Sequence, residues 1–435
     1  MPHANLKPDG YLPRIVDEQV AHYLRVFGAV EVAGTKWCGK TWTALAHGSS
    51  VSYVENDLSI AKEDPSLMLL GERPHVVDEW QLAPSIWDAV RHGVDAQRGL
   101  RGGWILTGSS TPASRGGGED APKHSGAGRI GRVRMLPMSL AESGESACTV
   151  SLARLFEGEF TSSKVPSDTL ELVRLACRGG WPEGIDLDAE DAQLLARDYL
   201  RLLFSESVPR HGKDGRAARK LVASLARNLG QSPTYKTILA DMYGEEDESR
   251  ALMSEVTLAS YLDLLNRLYL TEEVEGWVPP RRSRKRLSVK PKRYFADPSL
   301  AVATLGMSPQ SLLDDWQTFG LVFENLCMRD LMVYARSLPL AGDVPVRYYR
   351  DDAGLEADAI VELADGRWAA FEFKVGESKV GEGVASLKRL RKKVSENPKA
   401  RTSPPEFLAV IAGVSEYARK VEDGVYVIPL RALCA

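Results

Sequence analysis

The sequence has 435 residues, of which 44% are hydrophobic and 26% are charged, and its formal net charge is −4. This length exceeds one ordinary hydrophobic core and predicts two to four domains. The composition is typical of a soluble globular protein. The small negative charge argues against a surface that is basic throughout, although it leaves room for a local basic face.

Five cysteines are scattered along the chain without a C-x-x-C pair. This pattern predicts reduced thiols, with neither a disulfide framework nor a zinc site. The first residues lack the apolar run of a signal peptide, and no stretch approaches the ~18 apolar residues that a membrane span needs. We therefore expect a cytoplasmic protein with no membrane partner.

From residue 12 to about 142, short apolar strands alternate with helical patterns, which predicts an α/β layer fold. Residues 30–43 read VEVAGTKWCGKTWT and match G-x-x-x-x-G-K-[ST], the phosphate-binding P-loop, with a strand before it and a helix after it. Gly34 and Gly39 permit the tight turn that points backbone N–H groups at a phosphate. Lys40 would reach the β- and γ-phosphates of ATP, and the Thr41 hydroxyl would ligate Mg²⁺.

A second motif, residues 75–80 (HVVDEW), is an apolar strand that ends in two carboxylates. Asp78 would hold Mg²⁺, and Glu79 would polarise the attacking water. Two such motifs in this order disfavour a chance match. The residues predicted to bind the nucleotide are Gly34, Thr35, Lys36, Trp37, Cys38, Gly39, Lys40, Thr41, Trp42, Asp78, Thr107 and Ser109.

Three later features leave alternatives open. Thr107 and Ser109 end a strand, where they either sense the γ-phosphate or only close a strand-to-loop turn. The stretch 113–128 is rich in glycine and serine and is a candidate lid. Arg129 and Arg132 in GRIGRVR either act as arginine fingers, within the chain or from another subunit of a homo-oligomer, or form a solvated basic turn.

The order of these motifs, followed by MLPMSLAE at 135–142, resembles the prokaryotic AAA-type ATPases that carry a C-terminal domain of unknown function, DUF4143. The resemblance extends through GGWPE (179–183), PKRYFAD (291–297) and FEN (323–325), and it covers most of the chain from Tyr11 to about Val375. Residues 36–38 depart from the usual Arg-Gln-Val, but these are variable P-loop positions.

Together, the pattern and the resemblance divide the chain into four expected parts. These are a P-loop AAA-type ATPase core (1–148), a helical lid (149–214), a winged-helix-like unit (215–297) and a PD-(D/E)xK nuclease-like α/β domain (298–435). In the third part, an apolar helix around Val256–Arg267 precedes a hairpin-like segment at 270–278 and then a basic run.

The basic run Arg281–Arg293 holds eight positive charges and no acidic residue. Either its side chains contact the phosphates of DNA or RNA while the preceding helix lies near a groove, or the run is a solvated or interdomain surface. A charge run alone does not separate these two readings.

Residues 355–375 alternate polar and apolar side chains about an Ala-Asp-Gly turn and predict a β-hairpin. Glu372 and Lys374 share one face of the second strand, Asp358 lies on the first, and Glu324 lies in a helical segment upstream. This is the layout of a PD-(D/E)xK nuclease site, in which carboxylates hold Mg²⁺ and the lysine orients or deprotonates water. The alternative is an ordinary solvated edge strand.

We therefore expect a protein that binds ATP and hydrolyses it with Mg²⁺, and whose nucleotide state controls the C-terminal half. Two alternatives stay open. One is an ATP-regulated, metal-dependent nuclease, and the other is a non-hydrolysing ATP-dependent switch that binds DNA or protein.

Overall fold

The computed structural model describes residues 6–111, 125–244, 253–281, 283–287, 289–421 and 424–435. Most of the candidate lid and two residues of the basic run, Arg282 and Ser288, lie outside the described residues. The chain forms two compact units. Unit 1 is Met1–Pro137 with Arg267–Leu270, and unit 2 is Met138–Asn266 with Thr271–Ala435. The division into four parts stays a prediction.

Unit 1 is an α/β layer, as the sequence predicts. Its elements are α1 (Val16–Val26), β1 (Ala29–Gly34), α2 (Lys40–His47), β2 (Ser50–Tyr53), α3 (Leu58–Glu63), β3 (His75–Asp78), α4 (Ser85–Asp95), β4 (Trp104–Gly108) and β5 (Ile130–Met135). The strands form a parallel sheet in the order β2-β3-β4-β1-β5. Every residue of β1 is buried, as expected for a strand with both faces covered.

The order of the sheet determines where the predicted motifs meet. In a parallel sheet, all the carboxyl ends lie at one edge, which is where ligands bind in open α/β folds. The P-loop follows β1, Asp78 ends β3, and Thr107 lies near the end of β4 between them. The fold therefore brings segments that are distant in sequence to the same edge.

The first half of unit 2 is mainly helical, and the second half forms most of a mixed sheet. Its first elements are β6 (Val150–Ser151), α5 (Leu152–Phe156), β7 (Ser163–Lys164), α6 (Thr169–Arg178), α7 (Ala189–Leu202), α8 (Val208–Arg210), α9 (Gly215–Arg227), α10 (Tyr235–Tyr243), α11 (Glu255–Arg267), β8 (Thr271–Val274) and β9 (Lys292–Phe295). The final residue of α11 counts with unit 1.

The later elements are α12 (Pro298–Leu305), α13 (Pro309–Asp314), α14 (Trp316–Ser337), β10 (Ala341–Arg350), β11 (Glu356–Leu363), β12 (Trp368–Gly376), α15 (Val380–Ser395), β13 (Phe407–Val414), β14 (Tyr417–Lys420), β15 (Val425–Pro429) and β16 (Leu433–Cys434). The main sheet has the order β10-β11-β12-β13-β15-β14-β7. β11 and β12 pair antiparallel, which confirms the predicted hairpin. Helix α15 covers the sheet with Leu387, Leu390 and Val394, which are buried at helical spacing.

The hairpin expected at 270–278 is wrong. β8 pairs antiparallel with β9, so that Val274 lies opposite Lys292, and the partner of β8 lies well beyond residue 278 in the sequence. Trp277 is instead buried in the core of the sheet, with its ring 4.6 Å from that of Trp368. Burial of this large side chain overrides the local turn signal.

Among the described helices, none combines the length and the apolar character that a membrane span requires.

Candidate functional site

The loop between β1 and α2 has the backbone of a phosphate cradle. A Cβ atom on Gly34 would lie 2.2 Å from the backbone oxygen of Met135, so no larger residue fits there. Gly39 has a φ of 98°, which favours glycine. The Arg14 guanidinium donates to the backbone oxygen of Cys38 at 2.8 Å and holds the middle of the loop. The buried thiol of Cys38 packs beneath the loop and has no access to a phosphate.

Lys40 is almost buried, with 5% of its surface exposed. Its Nζ donates to the backbone oxygen of Thr35 at 2.9 Å, so the ammonium folds back over the loop. The Thr35 hydroxyl in turn donates to the backbone oxygen of Tyr269 at 3.1 Å. The partner of the Lys40 ammonium is thus a neutral carbonyl oxygen. A negatively charged phosphate oxygen can take the place of that carbonyl.

Two hydroxyl side chains from two different segments converge on one carboxylate oxygen of Asp78. The Thr41 hydroxyl donates to Asp78 Oδ1 at 2.8 Å, and the Thr107 hydroxyl donates to the same atom at 2.6 Å. The Thr107 oxygen also accepts from the backbone N–H of Glu79 at 3.0 Å. Asp78 thereby links the P-loop to the neighbouring strand β4.

Glu79 follows directly in a left-handed conformation, with a φ of 57°. Such a conformation costs of order 1–3 kcal/mol for a residue other than glycine, and it often occurs at functional sites. The Ser109 hydroxyl donates to Glu79 Oε2 at 3.0 Å, and the Gln81 amide contacts both side chains. Sequence reasoning missed Gln81, although its position two residues after Glu79 was the available signal.

Two large aromatic side chains border the cradle. Trp37 in the loop and Trp42 in the first turn of α2 are both exposed, and Lys36 beside them is partly exposed. Exposed indole rings offer a stacking surface for a base. A role for these three residues in nucleotide binding stays a prediction.

The structure does not bring Arg129 to the P-loop. β1 and β5 run parallel, and Arg129 directly precedes Ile130, which lies opposite Ala29 at the amino end of β1. The P-loop follows Gly34 at the other end, about 16 Å away at ~3.3 Å per residue. Arg129 Nε pairs with Asp95 at 2.8 Å. The expectation of an arginine finger within the chain is therefore wrong for Arg129.

Arg132 also points to a partner of its own. Its Nε contacts the buried Glu31 carboxylate at 2.5 Å, in the middle of the sheet. Arg134, two residues closer to the carboxyl edge, stacks on the ring of Tyr269 at 3.8 Å from the centroid. Arg134 lies nearer the P-loop than either predicted arginine, and the alternation of the GRVRM strand was the signal for it.

The four predicted nuclease-type residues do come together in unit 2. Lys374 Nζ contacts Glu372 Oε2 at 2.6 Å on β12. Asp358 on β11 accepts from the backbone N–H of Phe373 at 2.7 Å, which places its charge beside that pair. Glu324 on α14 completes the group of four predicted residues. Glu356, the first residue of β11, is a further carboxylate beside them. We call Glu324, Glu356, Asp358 and Glu372 the carboxylate cluster.

A second lysine lies in this cluster. Lys292 Nζ on β9 contacts Glu356 Oε1 at 2.6 Å and Glu324 Oε1 at 3.3 Å. The Tyr294 hydroxyl donates to the same Glu324 oxygen at 2.5 Å. Sequence reasoning missed both, because it assigned Lys292 to a run expected to meet phosphates. Their spacing of two on a strand was the available signal.

Burial and mutual repulsion shift the protonation of the cluster. Burial and then the charge of Asp358 raise the pKa of Glu324 to about 7. The same causes raise the pKa of Glu372 to about 7. Burial lowers the pKa of Lys292, but the nearby carboxylates of Glu324, Asp358 and Glu356 outweigh it, so that the pKa is raised. Lys292 therefore stays charged while two carboxylates readily accept protons.

Among the basic side chains of Arg281–Arg293 that the structure describes, Arg281, Arg286, Lys292 and Arg293 pair with carboxylates of unit 2. Arg281 and Arg286 both contact Glu362, at 3.2 and 2.9 Å. Arg293 contacts Glu273 at 2.9 Å, and Lys292 enters the cluster. Arg284 and Lys290 are exposed. Nucleic-acid binding by this run stays a prediction with fewer side chains to support it.

Two domain families match the sequence. Residues 169–311 match "Domain of unknown function (DUF8612)", and residues 319–433 match "Domain of unknown function (DUF4143)". The second match confirms the DUF4143 domain that the motif order predicts. No curated protein matches the chain.

Three matching solved structures are distantly similar to the chain. The Walker-type ATPase PABY2304 of Pyrococcus abyssi is 14% identical, covers 70% of this chain and 99% of its own, and has a TM-score of 0.42. The Aeropyrum pernix ORC1 protein in complex with DNA is 13% identical (71% and 97% covered, TM-score 0.23). Cdc6p from Pyrobaculum aerophilum is 13% identical (74% and 98%, TM-score 0.22). We therefore infer the chemistry of the site from the residues of this chain alone.

Proposed function

We propose that the chain is an AAA-type P-loop protein with the C-terminal DUF4143 domain that residues 319–433 match, and that it binds ATP and hydrolyses it with Mg²⁺. The observation that carries this proposal is the convergence of Thr41, Asp78 and Thr107 on one edge of the parallel sheet, beside the P-loop and Lys40. The supporting residues therefore come from three separate strand ends.

The binding step uses the cradle that the loop already forms. Backbone N–H groups of the loop and the amino end of α2 attract the phosphates. Lys40 exchanges its contact with Thr35 for a phosphate oxygen, which its charge stabilises. We assign the exposed side chains of Trp37 and Trp42 to packing against the base.

The oxygens of Thr41 and Asp78 suit Mg²⁺, which is a hard cation that prefers oxygen ligands. Bound Mg²⁺ would neutralise the charge that develops on the β- and γ-phosphate oxygens. Because the two side chains are already hydrogen-bonded to each other at 2.8 Å, both lie in place before any ligand arrives. Thr107 keeps the carboxylate oriented from the neighbouring strand.

Glu79 is the residue that we assign to the attacking water. Its left-handed backbone and its contacts with Ser109 and Gln81 fix the direction of the carboxylate. A fixed carboxylate beside the phosphate edge orients a water molecule and accepts its proton. A protein that only binds nucleotide has no need of this group.

We assign α5–α8, within residues 149–214, to a helical lid, α9–α11 with β8–β9 to a winged-helix-like unit, and the sheet around β11 and β12 to a PD-(D/E)xK nuclease-like fold. Within the basic run Arg281–Arg293, the exposed Arg284 and Lys290 are candidates for DNA or RNA contact. An arginine finger at Arg129 requires a homo-oligomer, because its own P-loop is out of reach.

Steady-state ATP hydrolysis tests the proposal. We would compare the wild-type chain, Lys40→Ala and the surface control Lys62→Ala, with Mg²⁺, and with and without duplex or single-stranded DNA. We expect turnover in the wild type and the control, and a loss of at least about 100-fold in Lys40→Ala.

Equal turnover in wild type and Lys40→Ala would overturn the assignment of the site. Acceleration by DNA would support nucleic acid as the partner, and indifference to DNA would point to a protein partner instead. Tight ATP binding with no turnover in the wild type would overturn the hydrolytic role of Glu79 and leave a switch.

A further inference from the structure

We propose that Lys292 fills the cation position of the carboxylate cluster, so that unit 2 in this fold takes no divalent metal there and is not a metal-dependent nuclease. The PD-(D/E)xK layout implies Mg²⁺ between Glu324, Asp358 and Glu372, but the residues present do not fit that ion. The ion pairs of Lys292 with Glu324 and Glu356 then stabilise the packing of strand β9 against α14 and β11.

Lys292 competes with a metal ion for Glu324, which is one of the three implied ligands. The Lys292 ammonium lies 3.3 Å from Glu324 Oε1 and 2.6 Å from Glu356 Oε1 beside it. Mg²⁺ needs carboxylate oxygens at about 2.0–2.1 Å in octahedral geometry. The ammonium group occupies the approach to Glu324 Oε1, and the Tyr294 hydroxyl takes a further position on the same oxygen.

Strand β9, which carries Lys292, is held firmly in place. The Asn325 side chain accepts from the backbone N–H of Phe295 at 3.0 Å and donates to its backbone oxygen at 2.9 Å. The backbone N–H of Gly230 donates to the backbone oxygen of Arg293 at 2.9 Å. Lys292 itself is 6% exposed. A buried lysine on a strand held from both sides does not swing away to admit an ion.

Lysines already offset part of the charge of the cluster. The cluster contains four carboxylates, and Lys292 and Lys374 supply two positive charges in direct contact with Glu324, Glu356 and Glu372. These ion pairs reduce the attraction of the cluster for a further cation.

The lysine that a nuclease would use, Lys374, is also engaged. Lys374 Nζ lies 2.6 Å from Glu372, so the group that would orient water forms an ion pair with a supposed metal ligand. Within the described ranges, no set of three or more His, Cys, Asp or Glu side chains is arranged to hold a metal ion. The layout of a nuclease is present without its working geometry.

The test measures Mn²⁺ binding by the loss of the free-ion signal in electron paramagnetic resonance. All variants are full-length and carry Asp78→Asn, so that the P-loop contributes no metal site, and no nucleotide is added. We expect no Mn²⁺ bound in the millimolar range when Lys292 is intact. Lys292→Met should bind one Mn²⁺ at least about tenfold more tightly, and adding Asp358→Asn should remove that site.

Three controls keep the outcome decisive. Lys290→Met removes an exposed lysine two residues away and should gain no site, and Lys292→Arg keeps the charge and should also gain none.

Because Lys292→Met can fail to fold, the comparison of the Lys292-intact chain with and without Asp358→Asn is a test that does not depend on that variant. Binding of Mn²⁺ that Asp358→Asn abolishes, or metal-dependent cleavage of DNA or RNA by the Lys292-intact chain, would overturn the proposal. A folded Lys292→Met variant that gains no site would also overturn it.

Discussion

Lys40 and Lys292 are buried to almost the same extent, with 5% and 6% of their surfaces exposed, yet their surroundings differ. Lys40 donates to a neutral backbone oxygen of its own loop, whereas Lys292 lies between two carboxylates. The charge of Lys40 is available to a bound anion such as a phosphate. The charge of Lys292 is already neutralised by carboxylates of the protein. The comparison teaches that the partners of a buried charge, rather than its burial, distinguish a binding site from a structural contact.

The largest expected effect is the loss of kcat on substitution of Glu79, which tests whether the region around Lys40 is a catalytic site. Glu79→Gln keeps the shape of the side chain and removes its capacity to accept a proton from water, so ATP should still bind while kcat falls by about 100-fold or more. Nucleotide titration and steady-state hydrolysis measure the two quantities separately. The matched control is the exposed Glu63→Gln. An unchanged kcat in Glu79→Gln would remove this residue from the mechanism.

The second prediction compares the two lysines directly in stability. Lys292→Met leaves buried carboxylates without their partner and should lower the free energy of unfolding by about 3–5 kcal/mol. Lys40→Met loses one hydrogen bond to a carbonyl and should cost about 1 kcal/mol. Denaturant unfolding with hydrogen exchange on peptides from each unit measures both. Equal losses would contradict the difference we draw between the two sites.

A smaller effect is expected at Thr41. Thr41→Val removes the hydroxyl that we assign to Mg²⁺ but keeps the shape of the side chain. ATP affinity without metal should change little, whereas the gain in affinity on adding Mg²⁺ should fall by about tenfold. Calorimetric titration with and without Mg²⁺ measures this, with Thr237→Val in unit 2 as a remote control. A full Mg²⁺ effect in Thr41→Val would place the metal elsewhere.

The smallest expected effect is on the pH dependence of unit 2. The groups around Glu324 are Lys292 and Tyr294 on β9, Glu356 and Asp358 on β11, and Glu372 and Lys374 on β12. The pKa values of Glu324 and Glu372 are raised to about 7, so the folded state holds protons that the unfolded state releases. Their contribution to stability is full below about pH 4.5 and is lost as the pH rises through 7.

Unfolding free energies between pH 5 and pH 8 test this sign. Glu324→Gln cannot release that proton and should lose less stability than the wild type over the same range, by up to about 1 kcal/mol per pH unit. Parallel curves for the two proteins would show that Glu324 ionises at its ordinary pKa.

The P-loop region was predictable because its information is local or follows from a simple rule. The glycines and Lys40 lie within one short segment, and parallel strands bring Asp78 and Thr107 to the same edge. The same rule about parallel strands also shows why Arg129 does not reach the P-loop of its own chain. This residue precedes its strand and therefore lies at the edge opposite the P-loop.

The lysine of the cluster was not predictable in the same way. Lys292 meets Glu324 across 32 residues, through a strand whose partner was misassigned to a local hairpin. Sequence order placed it in a basic run, and only the pairing of β8 with β9 turns it toward the carboxylates. The register of a strand decides which side chains enter the interior, and this register depends on distant contacts.

The Thr35–Tyr269 contact has a consequence for how the protein is made. The two residues are separated by 234 positions, and Arg267–Leu270 counts with unit 1. At roughly 5–20 residues per second, a ribosome needs about 10–50 s to pass from one to the other. During that time the nascent P-loop lacks the acceptor for its Thr35 hydroxyl, and a fragment that ends at Pro137 never acquires it. The nucleotide cradle therefore reaches its final form late in synthesis, although nearly all its residues emerge early.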